Sequence, residues 1–351
     1  MSMGTTVARA DRADSNYGPP LAASKRHAAP VVLDETALVR FRRRVCWHGR
    51  RHYRHLPWRE TGDPYAILVS EVMLQQTQVT RVLDHYARFL ARFPDPATLA
   101  AAPLAAVLER WSGLGYNRRA LALQRAAGVL VGEHGGALPP DRDALLRLPG
   151  VGPSTAGALL AFAFAQPAAF IETNIRRVFL HHFFPAAATV PDAALLPLVA
   201  RTVDRRQPRH WYHALMDWGA ALGRLPGNPN RRSAHYSRQT PFAGSRRELR
   251  GRVLRLLTER RCLTFDELQE RCPDQQLAAV VDDLVAEQFL ERGGAHVCLA
   301  GESGRTPGAR GVAAAQRSHA RSSTKAPVKS LNQSRTTVKG FESRDTIRIR
   351  T

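Results

Sequence analysis

Apolar side chains recur at helical spacing along most of this chain. Within Gln78–Phe93 they are Val79, Val82, Leu83, Tyr86, Phe89 and Leu90, one face of an amphipathic helix. Pro64–Thr77 is more strongly apolar and is also expected to be helical. Leu104–Trp111, Arg118–Val131, Ala156–Phe164, Ile175–Phe184, Ala193–Val203 and Trp211–Leu222 follow, separated by turns that carry Pro or Gly. No convincing run of alternating strand residues precedes residue 290. The pattern predicts an all-α body with short connections between helices.

The pattern changes at Pro226–Ser245, a loop-like stretch reading PGNPNRRSAHYSRQTPFAGS. Beyond it a smaller unit is expected: a basic helix over Arg246–Thr258, segments over Thr264–Cys272 and Gln275–Phe289, and an extended pair turning at Gly293–Gly294. Three helices followed by a hairpin suggest a winged-helix-like module. Thr264–Glu291 holds eight acidic residues and one Arg, a poor surface for a polyanion. Packing against the main body or another protein suits those charges better. The expected organisation is a disordered arm over residues 1–34, a helical domain over 35–240, the module over 245–300 and a basic disordered tail over 301–351.

Charge narrows the partners. The 51 Lys+Arg against 30 Asp+Glu give +21 over 351 residues, which puts polyanions, nucleic acid above all, first. The tail alone carries 11 − 3 = +8, either to attract phosphates or simply as a tolerated, solubilising appendage. An apolar content of 44% is enough for a packed core and excludes wholesale disorder. With no uninterrupted apolar run of membrane length and no signal-peptide core, the expectation is a soluble, cytoplasmic protein, nucleoid-associated if prokaryotic. The basic residues are almost wholly arginine. Lys25, Lys325, Lys329 and Lys339 are the lysines, so residues 35–300 contain no amine nucleophile on a side chain. Cys46, Cys262, Cys272 and Cys298 are far apart and show no disulfide or metal-ligand spacing.

Three segments carry candidate chemistry. In Leu148-Pro149-Gly150-Val151-Gly152-Pro153-Ser154-Thr155-Ala156 a helix over Asp143–Leu148 enters a turn with two glycines, and a second helix opens at Pro153. The free N–H groups of that second helix form a ready phosphate site, the pattern of a helix-hairpin-helix; an ordinary tight turn is the plainer alternative. Glu71 lies among Ile67, Leu68, Val72, Met73 and Leu74. A carboxyl there is either a buried structural group or a general acid with its pKa raised by desolvation. Glu172 stands at the entrance to the Ile175–Phe184 helix, where a simple cap and a catalytic carboxylate are both consistent. Asp217 reads as structural.

Taken together, LPWR (Leu56–Arg59), PY-(x)4-SEVMLQQTQV (Pro64–Val79), WSGLGY (Trp111–Tyr116), LPGVGPSTAGA (Leu148–Ala158) and ETNIRRV (Glu172–Val178) resemble the helix-hairpin-helix base-excision DNA glycosylases. Within them the chain is most similar to the A/G-specific adenine glycosylases, and more distantly to endonuclease III. The resemblance spans roughly Phe41 to Gly223. It implies two α-helical subdomains with a cleft between them, into which a base is flipped from duplex DNA. Glu71 matches the family's catalytic acid. Glu172 stands where the family has a catalytic Asp, one methylene shorter. Gln76 matches the residue that inserts into the duplex, while Asn117 falls where adenine glycosylases commonly carry a second Tyr. Gly150, Val151, Gly152, Ser154 and Thr155 match the DNA-contacting hairpin, whose backbone leaves room for a monovalent cation. Bifunctional relatives place a Lys at the position of Ser154, so hydrolysis without a lyase step is expected.

Two further departures matter. The family usually holds an iron–sulfur cluster through four cysteines after the MD-x-G segment, and Gly219–Gln239 contains no cysteine, so no cofactor is expected. Arg231, Arg232, His235, Tyr236 and Arg238 are candidates to replace the cluster loop as a phosphate-contacting surface, or form a merely solvated one. Residues 246–300 are also too short and too helical for the appended Nudix-like domain that recognises 8-oxoguanine. The implied function is removal of adenine opposite guanine or 8-oxoguanine by a monomer acting on duplex DNA. The alternatives are a uracil or thymine mismatch glycosylase, and a catalytically weak DNA-binding protein.

Overall fold

A computed structural model describes residues 33–302 of the chain. Most of the N-terminal arm and nearly all of the basic tail lie outside the described residues. The first helix, α1 (Glu35–His52), has no counterpart among the helices expected from periodicity; it is opened by Asp34, whose carboxylate accepts from the Ala37 amide at 2.6 Å. The chain continues through α2 (Pro64–Leu74), α3 (Val79–Arg92), α4 (Pro96–Ala100), α5 (Leu104–Trp111) and α6 (Arg118–His134). Then come α7 (Arg142–Arg147), α8 (Pro153–Ala163), α9 (Thr173–Phe183), α10 (Asp192–Thr202) and α11 (Pro208–Leu222). The expected all-α body is present, with helix ends moved by a few residues.

These helices fall into two packed groups. One gathers α2–α8, with α2 against α3, α6 and α8. The other gathers α1, α9, α10 and α11, with α11 pressed between α1 and α9. Phe41 sits at the centre of the second group, 5.3 Å from Phe179 and 4.8 Å from Phe183 between ring centroids. A Cβ on Gly219 would lie 2.3 Å from the Asn174 carbonyl, so only glycine lets α11 approach the start of α9 this closely. Contacts of α8 with α2 and α11 join the groups.

The C-terminal unit comprises α12 (Arg246–Arg260), β1 (Cys262–Thr264), α13 (Phe265–Arg271), α14 (Leu277–Ala286), β2 (Leu290–Gly293) and β3 (His296–Leu299). Its antiparallel sheet has the order β1-β3-β2. Two sequence expectations are corrected here. A strand does precede residue 290: β1 is three residues long, too short to show an alternation, and exists because β3 offers it an edge. Cys262 and Cys298 are disulfide-bonded. Their separation of 36 residues gave no signal, but the β1–β3 register sets them directly opposite, with Cα atoms 4.0 Å apart. The module meets the body through α12, which packs on α5, and through the turn after α14, while the acidic residues of α13 stay exposed. Arg118 donates twice to the Glu287 carboxylate, Arg125 to Gln288 at 2.6 Å and Arg261 to Glu109 at 2.7 Å. Between body and module, the loop-like stretch contains a short 3-10 turn, Pro229–Arg232. Among the described residues no helix is long and apolar enough to cross a membrane.

Candidate active site

The helix α2 starts at Pro64, with Asp63 capping it through the Tyr65 amide at 2.9 Å. It is apolar on nearly every face because it is buried on nearly every face, from Tyr65 through Ser70 and again at Val72 and Met73. Glu71 is the half-buried exception. Desolvation raises its carboxyl from the ordinary 4.5 to about 8; the charge of Glu172 adds to the rise and the Arg59 guanidinium opposes it. At neutral pH this carboxyl is protonated.

Glu172 comes from the other helix group. It is the N-cap of α9, accepting from the amides of Asn174 at 2.7 Å and Ile175 at 2.8 Å through one oxygen, and from the Asn174 side chain at 3.2 Å through the other. Burial leaves its pKa above the ordinary carboxyl value, although those two amides and the guanidinium groups of Arg176 and Arg177 oppose the rise. The two carboxyls therefore meet at the junction of the two groups, close enough for one to perturb the other. Asn174 is itself held: Arg177 donates to its side-chain oxygen at 3.0 Å and to the Gly219 carbonyl at 2.6 Å.

Asp217 is structural, as its sequence context suggested. Its carboxylate is almost wholly buried and receives both guanidinium nitrogens of Arg59, at 2.8 and 3.0 Å, and Nε of Arg54 at 2.5 Å. That bidentate pair fixes Arg59 near Glu71, a role that the LPWR motif contained but did not reveal.

The hairpin between α7 and α8 follows the sequence reading closely. Gly150 has φ of 81°, and a Cβ there would meet Ala122 at 2.9 Å. Gly152 is exposed and caps α8, Val151 is buried and Ser154 half-buried. Thr155 is turned inward, accepting from Gln75 Nε2 at 3.1 Å, and the same nitrogen reaches the Gly150 carbonyl at 3.2 Å. Gln75 thus ties the end of α2 to the hairpin. Gln76 is exposed with φ of 54°, an uncommon backbone state for a side-chain-bearing residue.

Arg119 escaped the sequence reading and organises this region. Buried beneath the loops, it donates to the carbonyls of Val72, Met73 and Gln75, to Thr77 Oγ1, and to the carbonyls of Leu114 and Gly115. One guanidinium thereby caps α2 and joins the loop after it to the GLGY turn. The signal was available: Arg119 shares a helical face with Leu123, Ala126 and Leu130, all buried.

The basic loop divides. Arg231, His235, Tyr236 and Arg238 are exposed, whereas Arg232 is half-buried and donates to the Leu180 carbonyl at the end of α9. Asn230 donates to the Thr173 carbonyl at 3.0 Å, and Asn228 accepts from Arg177 at 3.2 Å. Hydrogen bonds thus fasten this loop to α9. A four-thiolate cluster does not fit the cysteines present: Cys262 and Cys298 are bonded to each other, Cys272 is buried and Cys46 is exposed elsewhere on α1. No group of three or more His, Cys, Asp or Glu placed to hold a metal occurs among the described residues.

Residues 69–194 match the HhH-GPD superfamily of base excision DNA repair proteins. The adenine DNA glycosylase of Mycobacterium tuberculosis is 37% identical over 240 residues, 61% of this chain and 76% of that protein. The adenine DNA glycosylase of Buchnera aphidicola is 34% identical over 198 residues, 55% of each chain. Among solved structures, a thermostable thymine-DNA glycosylase superposes with a TM-score of 0.50 at 27% identity, covering 56% of this chain and 93% of that one. The chain belongs to the adenine DNA glycosylase family, within the HhH-GPD superfamily of base excision DNA repair proteins.

Proposed function

We propose that this protein is a monofunctional DNA glycosylase that extrudes adenine mispaired with guanine or 8-oxoguanine and releases it by hydrolysis. The observation that carries the reading is the Glu71 carboxyl, protonated up to about pH 8 and set beside a second, hydrogen-bonded carboxylate. In this reading Glu71 gives its proton to the departing base as the bond from C1′ to the base nitrogen breaks, and the electron pair of that bond leaves with the base. Glu172, its negative charge supported by the α9 amides, faces the oxocarbenium-like sugar. Water adds its oxygen to C1′ and its proton passes to the Glu71 carboxylate, which restores the acid.

Duplex DNA is the partner, and the division into a glycosylase body (35–240) and a winged-helix-like module (245–300) belongs to the same reading. The N–H groups at Gly152, Ser154 and Thr155 face a phosphate at the start of α8, with Gly150 and Val151 shaping the turn. The Leu148 and Gly150 carbonyls each accept one hydrogen bond and keep a second lone pair, so they fit a monovalent cation whose charge would reinforce phosphate binding. Arg231, His235 and Tyr236 extend the contact surface; Arg232 orders the loop beneath them. Ser154 offers no amine, which supports release without strand cleavage.

A single-turnover panel of adenine, uracil and thymine mispairs tests the proposal, with products compared before and after hot alkali and with borohydride present. Adenine release opposite guanine or 8-oxoguanine, on a strand that breaks after alkali alone, is the expected result. Failure to release adenine from any pair overturns it, as does nicking without alkali accompanied by a trapped adduct. Preferential release of thymine or uracil opposite guanine would favour the second reading, which the likeness to the thymine-DNA glycosylase motivates.

A further inference from the structure

Four polar side chains from three separate stretches of the chain, exposed except for the half-buried Arg247, converge beside the end of α2. Gln239 Nε2 lies 2.7 Å from the Tyr116 hydroxyl and 3.3 Å from Gln76 Oε1. Arg247, at the start of α12, reaches the Tyr116 hydroxyl at 3.3 Å and Gln239 Oε1 at 3.5 Å, and its other terminal nitrogen donates to the Thr240 carbonyl at 2.7 Å. The underlying backbone is fixed and strained. Tyr116 and Gln76 have φ of 48° and 54°, and Arg119 bonds to the residues flanking both. The module that supplies Arg247 is anchored through Arg118, two residues beyond Tyr116, by its fork onto Glu287.

We infer that Gln239 and Arg247 read the base left opposite the extruded adenine. The inference rests on the proposed function, in which the extruded base approaches Glu71, and on the resemblance that matches Gln76, five residues further on, to the residue entering the gap it leaves. When Gln76 moves into the duplex, Gln239 loses that partner and its amide becomes available at the same place. A guanine presents O6 and N7 as acceptors, the pair that an arginine fork and an amide donor recognise. In 8-oxoguanine N7 carries a hydrogen instead, and a turned amide meets it with Oε1. The linker and the module thus supply, from this chain's own residues, recognition of an opposing guanine-type base. Pyrimidines offer neither N7 nor O6 at that position.

The test is a set of single-turnover rates for adenine opposite guanine, 8-oxoguanine, cytosine and an abasic site, measured for the full-length wild type and the variants Gln239→Ala, Arg247→Ala, Arg247→Lys and Gln239→Glu. Normalising to the abasic duplex removes any general loss of DNA binding. Each alanine is expected to reduce the guanine-over-cytosine preference about tenfold, and lysine to restore part of it. Gln239→Glu, which has acceptors but no donor, is expected to shift preference toward 8-oxoguanine over guanine by about tenfold. Unchanged ratios in all four variants, or an equal fall on every duplex, would overturn the assignment. If the wild type releases no adenine from any duplex, it is the proposed function that fails instead.

Discussion

The two carboxyls at the junction of the helix groups differ in how the protein treats their charge. Glu71 sits in a helix whose neighbours are apolar, and burial holds its proton on to about pH 8. Glu172 is just as enclosed, yet it stands at a helix start where two amides and two arginines favour its ionised form. In the proposed function these identical side chains take opposite tasks, one donating a proton and one holding a negative charge that its amides and arginines support against burial. The division comes from what surrounds each carboxyl, and it is open to direct attack.

The largest effect is expected for Glu71→Gln. Loss of the proton donor should reduce single-turnover base release by about 10³-fold or more, with duplex affinity largely kept in a filter-binding titration. Next, Glu172→Gln should slow release by about 10²-fold through loss of charge at the sugar. It should also lower the Glu71 pKa, because one of the causes of the rise is removed. The alkaline limb of the residual pH–rate profile, near 8 in the wild type, should therefore move to lower pH. An unmoved limb would mean that the two groups do not sense each other. Glu172→Asp keeps charge and cap but withdraws the carboxylate by one methylene, and about a tenfold loss of rate is expected.

The remaining effects are on stability, and they have opposite signs. Glu172→Ala removes a cap and should destabilise the fold by about 1 kcal/mol in urea titrations. Glu71→Gln should stabilise it under alkaline conditions. The folded state holds the Glu71 proton up to about 8, against 4.5 for an ordinary carboxyl, so native stability is penalised as pH rises from 4.5 through 8. The variant should match the wild type below pH 4.5 and exceed it by a growing margin up to about pH 8. A constant difference across that range would show that the shift does not exist.

Much of this site was visible in the residues themselves. The PGVG turn, the apolar helix around Glu71 and the absence of lysine from 35 to 300 are local facts, and the family resemblance attached roles to them. Glu172 was recognised at a helix entrance for the same reason, since a cap involves only the next three residues. Of the acidic stretch, Glu287 does meet arginines of the body and of α12, whereas the carboxylates of α13 remain exposed. Arg119 and the Cys262–Cys298 bond were missed because each draws its meaning from partners elsewhere in the chain.

Helical period and turn chemistry were settled by the amino-acid sequence because they depend on a residue and neighbours three or four positions away, and net charge because it is a matter of composition. Tertiary structure decided which groups share a space. It brought Glu172 within electrostatic reach of Glu71, buried Asp217 against arginines more than 150 residues earlier, and set Gln239 beside Gln76 at a separation of 163. The physical reason is that burial sets the protonation of Glu71 and the orientation of Arg119. Burial is a property of packed helices, and it appears only when distant segments have excluded water together.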